Sequence, residues 1–192
     1  MTIETTTTTV SPTLKTTATS QLITLAGGCF WGVERVLRKH FTDKGLIDIK
    51  VGYANGIATI DNINYKLVCT GTTNFVESVQ ISYEPSQLTV EDIIDIFFRM
   101  HDPTLLNAQG RNTGTQYRSA ILTHSNEDLQ VALELKDKYQ KTWYPNDTIY
   151  TVIEPISIWY DAEDYHQEYL DKNPEGYACP THFIRTQPKK ST

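Results

Sequence analysis

The chain of 192 residues lacks any apolar run near the roughly 18 residues that a membrane-spanning helix requires. It is also short of basic residues, with 17 lysines and arginines against 23 aspartates and glutamates, so its net charge at pH 7 is -6. A nucleic acid or an anionic lipid would need a basic surface, and this charge balance gives none. We therefore expect neither a membrane nor a nucleic acid as a partner, and the length suits one domain with its own core.

Cysteine is scarce as well, with three residues in the chain. This odd, small number argues against a disulfide framework and for thiols that are buried or reactive in a reducing compartment. The first 20 residues are rich in threonine and lack both the apolar stretch of a secretory signal and the arginines of a transit peptide. The sequence thus predicts a cytoplasmic protein with a disordered tail at 1–20 and a single folded domain at 21–192.

The spacing of apolar residues predicts the elements of that domain. An apolar stretch at 22–26 reads as a strand, and apolar residues at helical spacing follow it up to Phe41. Strands are predicted at 46–53, 75–83 and 119–124, and Thr89 with Asp92 indicates a helix start. The order βαββαβ is typical of a split βαβ, ferredoxin-like core, so we predict an α+β fold with a mixed sheet.

Further elements are predicted after this core. A helix begins at Ser125, a strand covers 149–153, and a short helix covers 162–170. From residue 173 onward, glycine and proline residues predict a long C-terminal loop segment.

Cys29 lies at the predicted junction of the first strand and the first helix, after Gly27 and Gly28. Glycines allow the tight turn that such a junction needs. The free N–H groups and the dipole of a helix N-terminus favour a thiolate and can lower the pKa of a cysteine well below about 8.5. The alternative is an inert, buried side chain, as in most intracellular cysteines. Position alone leaves both interpretations open.

Glu77 shares one side of its predicted strand with Val79, Ile81 and Tyr83, so it should point toward the core. Desolvation would raise the pKa of this carboxyl and keep it protonated at neutral pH, as a proton donor. The competing interpretation is a strand-end acid that a bulge turns toward solvent.

Aromatic residues supply further candidates. Phe30 and Trp31 could form an apolar platform for a small uncharged group such as a methyl, although aromatics in a first helical turn are also ordinary core. Tyr65 and Tyr117 are candidate hydrogen-bond donors among 11 tyrosines, so neither stands out on its own.

Several segments taken together resemble one family. In chain order they are Gly27 to Glu34 (GGCFWGVE), Val51 to Tyr53 (VGY), Tyr65 to Gly71 (YKLVCTG), His101 to Pro103 (HDP), Gly114 to Ser119 (GTQYRS), Ala162 to Gln167 (AEDYHQ) and Asn173 to Pro180 (NPEGYACP). Over about residues 22–185 the chain resembles the peptide methionine sulfoxide reductases of the A type, which act on the S epimer at sulfur. The CFWG segment is highly specific when GTQYRS accompanies it. The resemblance implies an oxidoreductase that repairs oxidised methionine, both protein-bound and free, with 21–192 as its catalytic domain.

The resemblance also implies a role for each matching residue. Cys29 would be the nucleophile that attacks the sulfoxide sulfur, and Glu77 would protonate the sulfoxide oxygen. Tyr65 and Tyr117 would hydrogen-bond that oxygen. This agrees with the residue-level interpretation, because sulfoxide reduction requires a thiolate, a proton and an apolar seat for the methyl group. Phe30 and Trp31 match the substrate-binding residues of the family that form a wall around the methyl group.

Attack on a sulfoxide would leave Cys29 as a sulfenic acid, which a second thiol must capture before it oxidises further. Cys179 matches the region where the family carries this resolving cysteine. The resemblance implies that thioredoxin, or another dithiol, reduces the resulting intramolecular disulfide, and it implies no bound cofactor. Cys69, in an apolar segment, is expected to be structural.

Asn112 departs from the family's pattern. The family usually has an aspartate two residues before the glycine of GTQYRS, where this chain has Asn112. An asparagine keeps a hydrogen bond but not the charge, so any electrostatic tuning by the aspartate is in question. We expect Asn112 to support the site from behind the residues that contact the substrate.

Two other functions fit parts of the sequence. Cys29 with a histidine would make an acyl-transfer pair, which predicts ester hydrolysis and no sulfoxide reduction. A binding module without chemistry predicts a Cys29 thiol no more reactive than free cysteine. Cys179 and His182 have a spacing that could ligate a metal, but two ligands without a second pair are too few for zinc, so no metal is expected. The candidate bases for the acyl-transfer pair are His40, His101, His124, His166 and His182.

Overall fold

A six-stranded mixed sheet organises the protein in the computed structural model, which describes residues 8–188. Its strands are β1 (Gln21–Gly27), β2 (Leu46–Ala54), β3 (Val76–Tyr83), β6 (Ser119–Thr123), β7 (Val152–Pro155) and β8 (Trp159–Asp161), and a separate pair consists of β4 (Ala108–Gln109) and β5 (Asn112–Thr113). The sheet order is β7-β6-β1-β3-β2-β8. Only β6 and β7 are parallel, and the other neighbours are antiparallel.

Five helices accompany the strands in the described part of the chain. They are α1 (Phe30–Phe41), α2 (Tyr65–Val68), α3 (Val90–Met100), α4 (Asn126–Thr142) and α5 (Tyr169–Lys172). As predicted, α3 begins with a capping box, in which Thr89 and Asp92 bond each other's backbone N–H. The predicted α+β class with a mixed sheet is confirmed. Between residues 8 and 188 no helix is long and apolar enough to cross a membrane.

The main core lies where α1 and α3 pack on one face of the sheet. Val33 and Leu37 of α1 and Phe97 of α3 meet Val79 and Ile81 of β3, and all five are at most 1% exposed. This is the face that the alternation in β3 predicts for Glu77.

The opposite face of β3 is buried too, which the alternation does not predict. A segment before β1 covers it: the Ser11 N–H donates to Gln80 Oε1 at 2.7 Å, and Gln80 Nε2 donates to the Thr9 carbonyl at 3.0 Å. Farther along, the Lys15 N–H donates to Asp48 at 2.9 Å. We expected a disordered tail over residues 1–20, but these bonds hold residues 8–20 against the sheet. The remainder of that tail, 1–7, lies outside the described residues.

Two predicted elements have different bounds because tertiary hydrogen bonds occupy their backbone groups. The strand expected at 149–153 begins only at Val152, since the Ile149 N–H donates to Gln140 Oε1 at 2.9 Å and the Tyr150 N–H to the Pro103 carbonyl at 2.8 Å. The helix expected at 162–170 is split at Glu168, whose φ is 55°. A 3-10 turn, Asp164–His166, precedes the break and α5 follows it.

Replacing Gln80 with alanine should destabilise the fold. Gln80 is fully buried, and its loss would leave the Ser11 N–H and the Thr9 carbonyl without their partner. A buried polar group left unpaired costs about 1–3 kcal/mol, so we expect Gln80→Ala to lower the free energy of unfolding by that amount in a urea titration. Gln87→Ala, at an exposed position, is the control and should change it by less than about 0.5 kcal/mol. Equal effects at both positions would contradict the role of the N-terminal segment.

Candidate active site

The turn between β1 and α1 places Cys29 at the helix N-terminus. Gly28 has a φ of 90°, and a Cβ built on it would lie 2.4 Å from Gln109 Cβ, so both conformation and space require glycine there. Cys29 is the N-cap residue of α1 and is 8% exposed. The predicted strand, turn and helix are therefore present.

Cys29 lines a pocket with a volume of about 60 Å³. The pocket brings together the residues that the sequence analysis predicts for the reductive step, and adds Tyr177, which it missed. The pocket is lined by Cys29, Phe30, Trp31, Tyr65, Glu77, Asn112, Tyr117 and Tyr177.

Glu77 lies at the base of the site with 2% of its surface exposed. It stands on β3 directly opposite Tyr53 of β2, and its Oε2 accepts the Phe30 N–H at 3.1 Å. Burial raises the pKa of Glu77 to about 8, against the smaller lowering effect of the Phe30 N–H. At neutral pH the carboxyl is mostly protonated and can donate a proton, as the sequence predicts.

The Cys29 thiol is not a preformed thiolate. Burial, followed by the nearby Glu77 carboxyl, raises its pKa to about 12, whereas the N–H groups of Trp31 and Gly32 lower it by less. Of the two interpretations that the position of Cys29 leaves open, the raised pKa favours the buried, protonated thiol. The helix contributes in the expected direction, but desolvation outweighs it.

Short helices position the two phenols. Tyr65 is the first residue of α2, which Asn64 caps by accepting the Leu67 N–H at 3.0 Å. Tyr117 ends a 3-10 helix that Arg118 ties down by donating to the Asn74 carbonyl at 3.1 Å. Burial raises the pKa of both phenols, so each keeps its proton and can donate a hydrogen bond.

The aromatic wall is fixed from behind. Trp31 donates its Nε1–H to His166 Nδ1 at 3.0 Å and stacks on Tyr169, with ring centroids 3.8 Å apart. Phe30 packs against Tyr53 at a centroid distance of 5.9 Å. Burial lowers the pKa of His166, which favours the neutral ring that accepts from Trp31. These contacts give Trp31 and Phe30 defined orientations at the pocket.

Cys179 lies beside this pocket rather than on its lining. It is 4% exposed, and its sulfur is 3.1 Å from Thr181 Oγ1. Its charge adds slightly to the rise in the pKa of Cys29, so the two sulfurs lie within electrostatic range. All three cysteines are free thiols.

The structure places Cys69 and Asn112 nearer to the pocket than the sequence analysis expects. Cys69 lies close enough to the Tyr65 hydroxyl to help raise the pKa of this phenol, which connects the thiol to the pocket. Asn112, on β5, lies on the pocket lining itself and not behind it. Within the described residues, Asn112 Nδ2 is buried and makes no hydrogen bond of good geometry, although its side chain lies close enough to Tyr177 to act against the rise that burial causes in the pKa of that phenol.

No histidine within residues 8–188 hydrogen-bonds the Cys29 sulfur. His101 bonds the Phe97 carbonyl and Ser119 Oγ, at 2.7 and 2.8 Å, and burial lowers its pKa to about 3. His182 bonds the Gly27 carbonyl at 2.7 Å. The geometry thus gives the acyl-transfer pair no support. In the same range, no group of three histidine, cysteine or acidic residues is arranged to hold a metal ion.

Comparison with known proteins agrees with this arrangement. The family profile described as peptide methionine sulfoxide reductase matches residues 21–191. A peptide methionine sulfoxide reductase of Saccharomyces cerevisiae is 51% identical over 172 residues, which cover 88% of this chain and 92% of that protein. The enzyme named MsrA in Clostridium botulinum (strain Okra / Type B1) is 45% identical over 161 residues, 84% of this chain and 98% of the relative.

Solved structures show the same similarity. The crystal structure of Mxr1 from Saccharomyces cerevisiae in reduced form matches with a TM-score of 0.88 and 49% identity, covering 93% of this chain and 99% of that one. Mxr1 in complex with Trx2 matches with a TM-score of 0.65 and 36% identity, over the same shares of the two chains. With a family match over residues 21–191 and relatives well above 30% identity, the chain belongs to the peptide methionine sulfoxide reductase family, whose members are oxidoreductases.

Proposed function

We propose that the protein reduces the S epimer of methionine sulfoxide to methionine, with Cys29 as the nucleophile. The observation that carries the proposal is the pocket itself, where a thiol, a mostly protonated carboxyl and two neutral phenols surround about 60 Å³. Phe30 and Trp31 supply the apolar seat for the methyl group. The proposal covers protein-bound and free methionine sulfoxide, because the pocket is sized for a side-chain terminus.

In the first step the Cys29 sulfur attacks the sulfoxide sulfur. Glu77 gives its proton to the sulfoxide oxygen, while Tyr65 and Tyr117 hydrogen-bond this oxygen, and the thiol proton of Cys29 replaces the one that Glu77 gave. The oxygen then moves as a hydroxyl group from the substrate sulfur to the Cys29 sulfur. The sulfur–oxygen bond of the substrate and the transient sulfur–sulfur bond break, a sulfur–oxygen bond forms at Cys29, and methionine leaves, so that Cys29 remains as a sulfenic acid. The sulfoxide is reduced and the thiol oxidised by two electrons. The high pKa of Cys29 in the empty pocket makes this coupled proton transfer a requirement.

In the second step the Cys179 thiol attacks the sulfenic sulfur of Cys29. A disulfide forms and the oxygen leaves as water. The electrostatic proximity of the two sulfurs supports this step, and the segment after Asn173, which has no regular secondary structure up to residue 188, can adjust to bring them together. A dithiol protein, thioredoxin, then returns both cysteines to thiols by exchange. Support for this partner comes from the related Mxr1, whose structure was solved in complex with Trx2.

Two further aspects belong to the same proposal. Three free thiols support a reducing compartment such as the cytoplasm.

The ferredoxin-like, split βαβ description of the core is supported by the order β6-β1-β3-β2, in which β3 lies between the strands that α1 connects. In this proposal Asn112, on the pocket lining beside Tyr177, offers an Nδ2–H to the bound substrate.

Cys29→Ser should abolish the reduction of S-sulfoxides, because a hydroxyl cannot replace the thiol as nucleophile and oxygen carrier. Release of methionine from a peptide with S-sulfoxide, followed with dithiothreitol as reductant, measures this loss. Turnover above a tenth of that of the wild type would contradict the assignment of Cys29.

Glu77→Gln should have opposite effects on two reactions of Cys29. Without a proton for the oxygen, single-turnover reduction should slow by about 10²- to 10⁴-fold. Ionised Glu77 raises the pKa of Cys29, and Glu77 is ionised above about pH 8, so the variant should alkylate faster at Cys29 than the wild type above that pH. Mass spectrometry of the Cys29 peptide after timed iodoacetamide treatment measures this alkylation rate. Slower alkylation together with near-normal reduction would remove Glu77 from the mechanism.

Cys179→Ser should still release one methionine per protein molecule but fail to recycle with thioredoxin, because the sulfenic acid of Cys29 then has no partner thiol. Counting methionine released with and without thioredoxin distinguishes the two phases. Cys69→Ser is the control, since it removes a thiol but leaves Cys29 and Cys179, and it should continue through many turnovers. Undiminished recycling in Cys179→Ser would assign the resolving role elsewhere.

A further inference from the structure

Glu163 holds two tyrosines of the site with one carboxylate. It follows β8, just before the 3-10 turn at Asp164–His166. Its Oε1 accepts the backbone N–H of Tyr65 at 2.8 Å, and its Oε2 accepts the hydroxyl of Tyr53 at 2.9 Å. Both oxygens therefore accept charge-assisted hydrogen bonds, the stronger kind in proteins.

The first of these bonds fixes the start of α2. A helix of four residues has too few internal hydrogen bonds to be stable by itself, and the N–H of its first residue has no partner within the helix. Asn64 caps the Leu67 N–H, and Glu163 accepts the Tyr65 N–H. The position of the Tyr65 phenol in the pocket thus depends on a carboxylate almost 100 residues away in sequence.

The second hydrogen bond, from the Tyr53 hydroxyl, connects Glu163 to β2, the strand that pairs with β3 at Glu77. Tyr53 is fully buried on β2, directly opposite Glu77 of β3, and its ring packs against Phe30. Glu163 therefore links the backbone of Tyr65, one of the two proton donors, to Tyr53, which lies opposite the other donor, Glu77. A shift of this carboxylate would change the spacing between the two donors.

The charge on Glu163 suits this role. Burial acts to raise its pKa, but the Tyr65 N–H and the Tyr53 hydroxyl are among the bonds that leave the pKa below its usual range. His166 Nε2 lies 3.8 Å from Oε2, and burial lowers the pKa of that ring. The side chain of Glu163 is 33% exposed, so part of it remains solvated. Glu163 is thus ionised at neutral pH and keeps its capacity to accept.

We propose that Glu163 is a positioning residue for sulfoxide reduction, which acts by holding Tyr65 at the sulfoxide oxygen in register with Glu77. It touches neither the substrate nor the reacting atoms, and the proposal rests on the function proposed above. Its effect on the rate should pass through the hydroxyl of Tyr65. That dependence distinguishes positioning from a general contribution to folding.

A double-mutant cycle on the single-turnover rate tests this dependence. Glu163→Ala should slow methionine release from an S-sulfoxide peptide by about tenfold or more, with a smaller change in KM. In a Tyr65→Phe background, which has already lost the hydroxyl, the same change should slow it by less than about twofold. Glu163→Gln keeps an oxygen for the Tyr65 N–H and should restore most of the rate. Glu84→Ala is the matched control, since Glu84 likewise accepts a hydroxyl, from Thr19 at 2.6 Å, and a backbone N–H, from Ser86 at 3.4 Å, and does not line the pocket; it should change the rate by less than twofold.

Equal losses from Glu163→Ala in both backgrounds would overturn the proposal, as would no loss in the wild-type background. Thermal unfolding of each variant identifies any that do not fold, and Glu163→Met, which keeps the length without oxygens, then replaces the alanine variant in the same cycle. If the wild-type protein reduces no sulfoxide, the proposed function fails; if it does and the cycle is additive, only the role of Glu163 fails.

Discussion

The Glu77 carboxyl lies almost fully buried between β3 and α1, and its Oε2 accepts the N–H of Phe30 in the first turn of the helix. This contact sets the distance between the acid and the helix N-terminus at which Cys29 is the cap residue. β3 is the strand between β1 and β2, and Glu77 itself pairs with Tyr53 of β2, so this ladder holds the backbone of the acid in place. The position of the pocket therefore follows from the sheet order and from this one hydrogen bond.

Burial also decides the electrostatics of the site. It raises the pKa of Glu77 to about 8 and that of Cys29 to about 12, so the empty pocket mostly holds two neutral acids side by side. An ionised pair there would combine desolvation with like-charge repulsion. A bound sulfoxide changes this balance, since its oxygen accepts the proton of Glu77. In this account the reactivity of Cys29 depends on that transfer of a proton to the sulfoxide oxygen.

Local sequence patterns predict the scaffold, and the family resemblance selects most of the pocket residues, but neither predicts the electrostatics. The GGC junction, the core-facing position of Glu77 and the Thr89 capping box each depend on neighbours in sequence, and the structure has them where they were expected. The pKa of Cys29 depends on burial by distant segments, which no local pattern encodes. The same is true of residues 8–20, whose order comes from Gln80 and Asp48, and of Tyr177, which reaches the pocket from a loop without periodicity. The segment AEDYHQ, which contains Glu163, is part of the resemblance, but the contacts of Glu163 are equally invisible in sequence, because its partners are a backbone N–H and a hydroxyl far along the chain.

The most direct test of the account is a single turnover of the reduced wild-type protein with separated S and R epimers of a methionine sulfoxide peptide, without any reductant. Methionine is counted, and the free thiols are titrated in denaturant before and after. The account predicts one methionine per protein from the S epimer, none from the R epimer, and a fall from three thiols to one as the Cys29–Cys179 disulfide forms. Equal reduction of both epimers, or release of methionine with all three thiols intact, would contradict it.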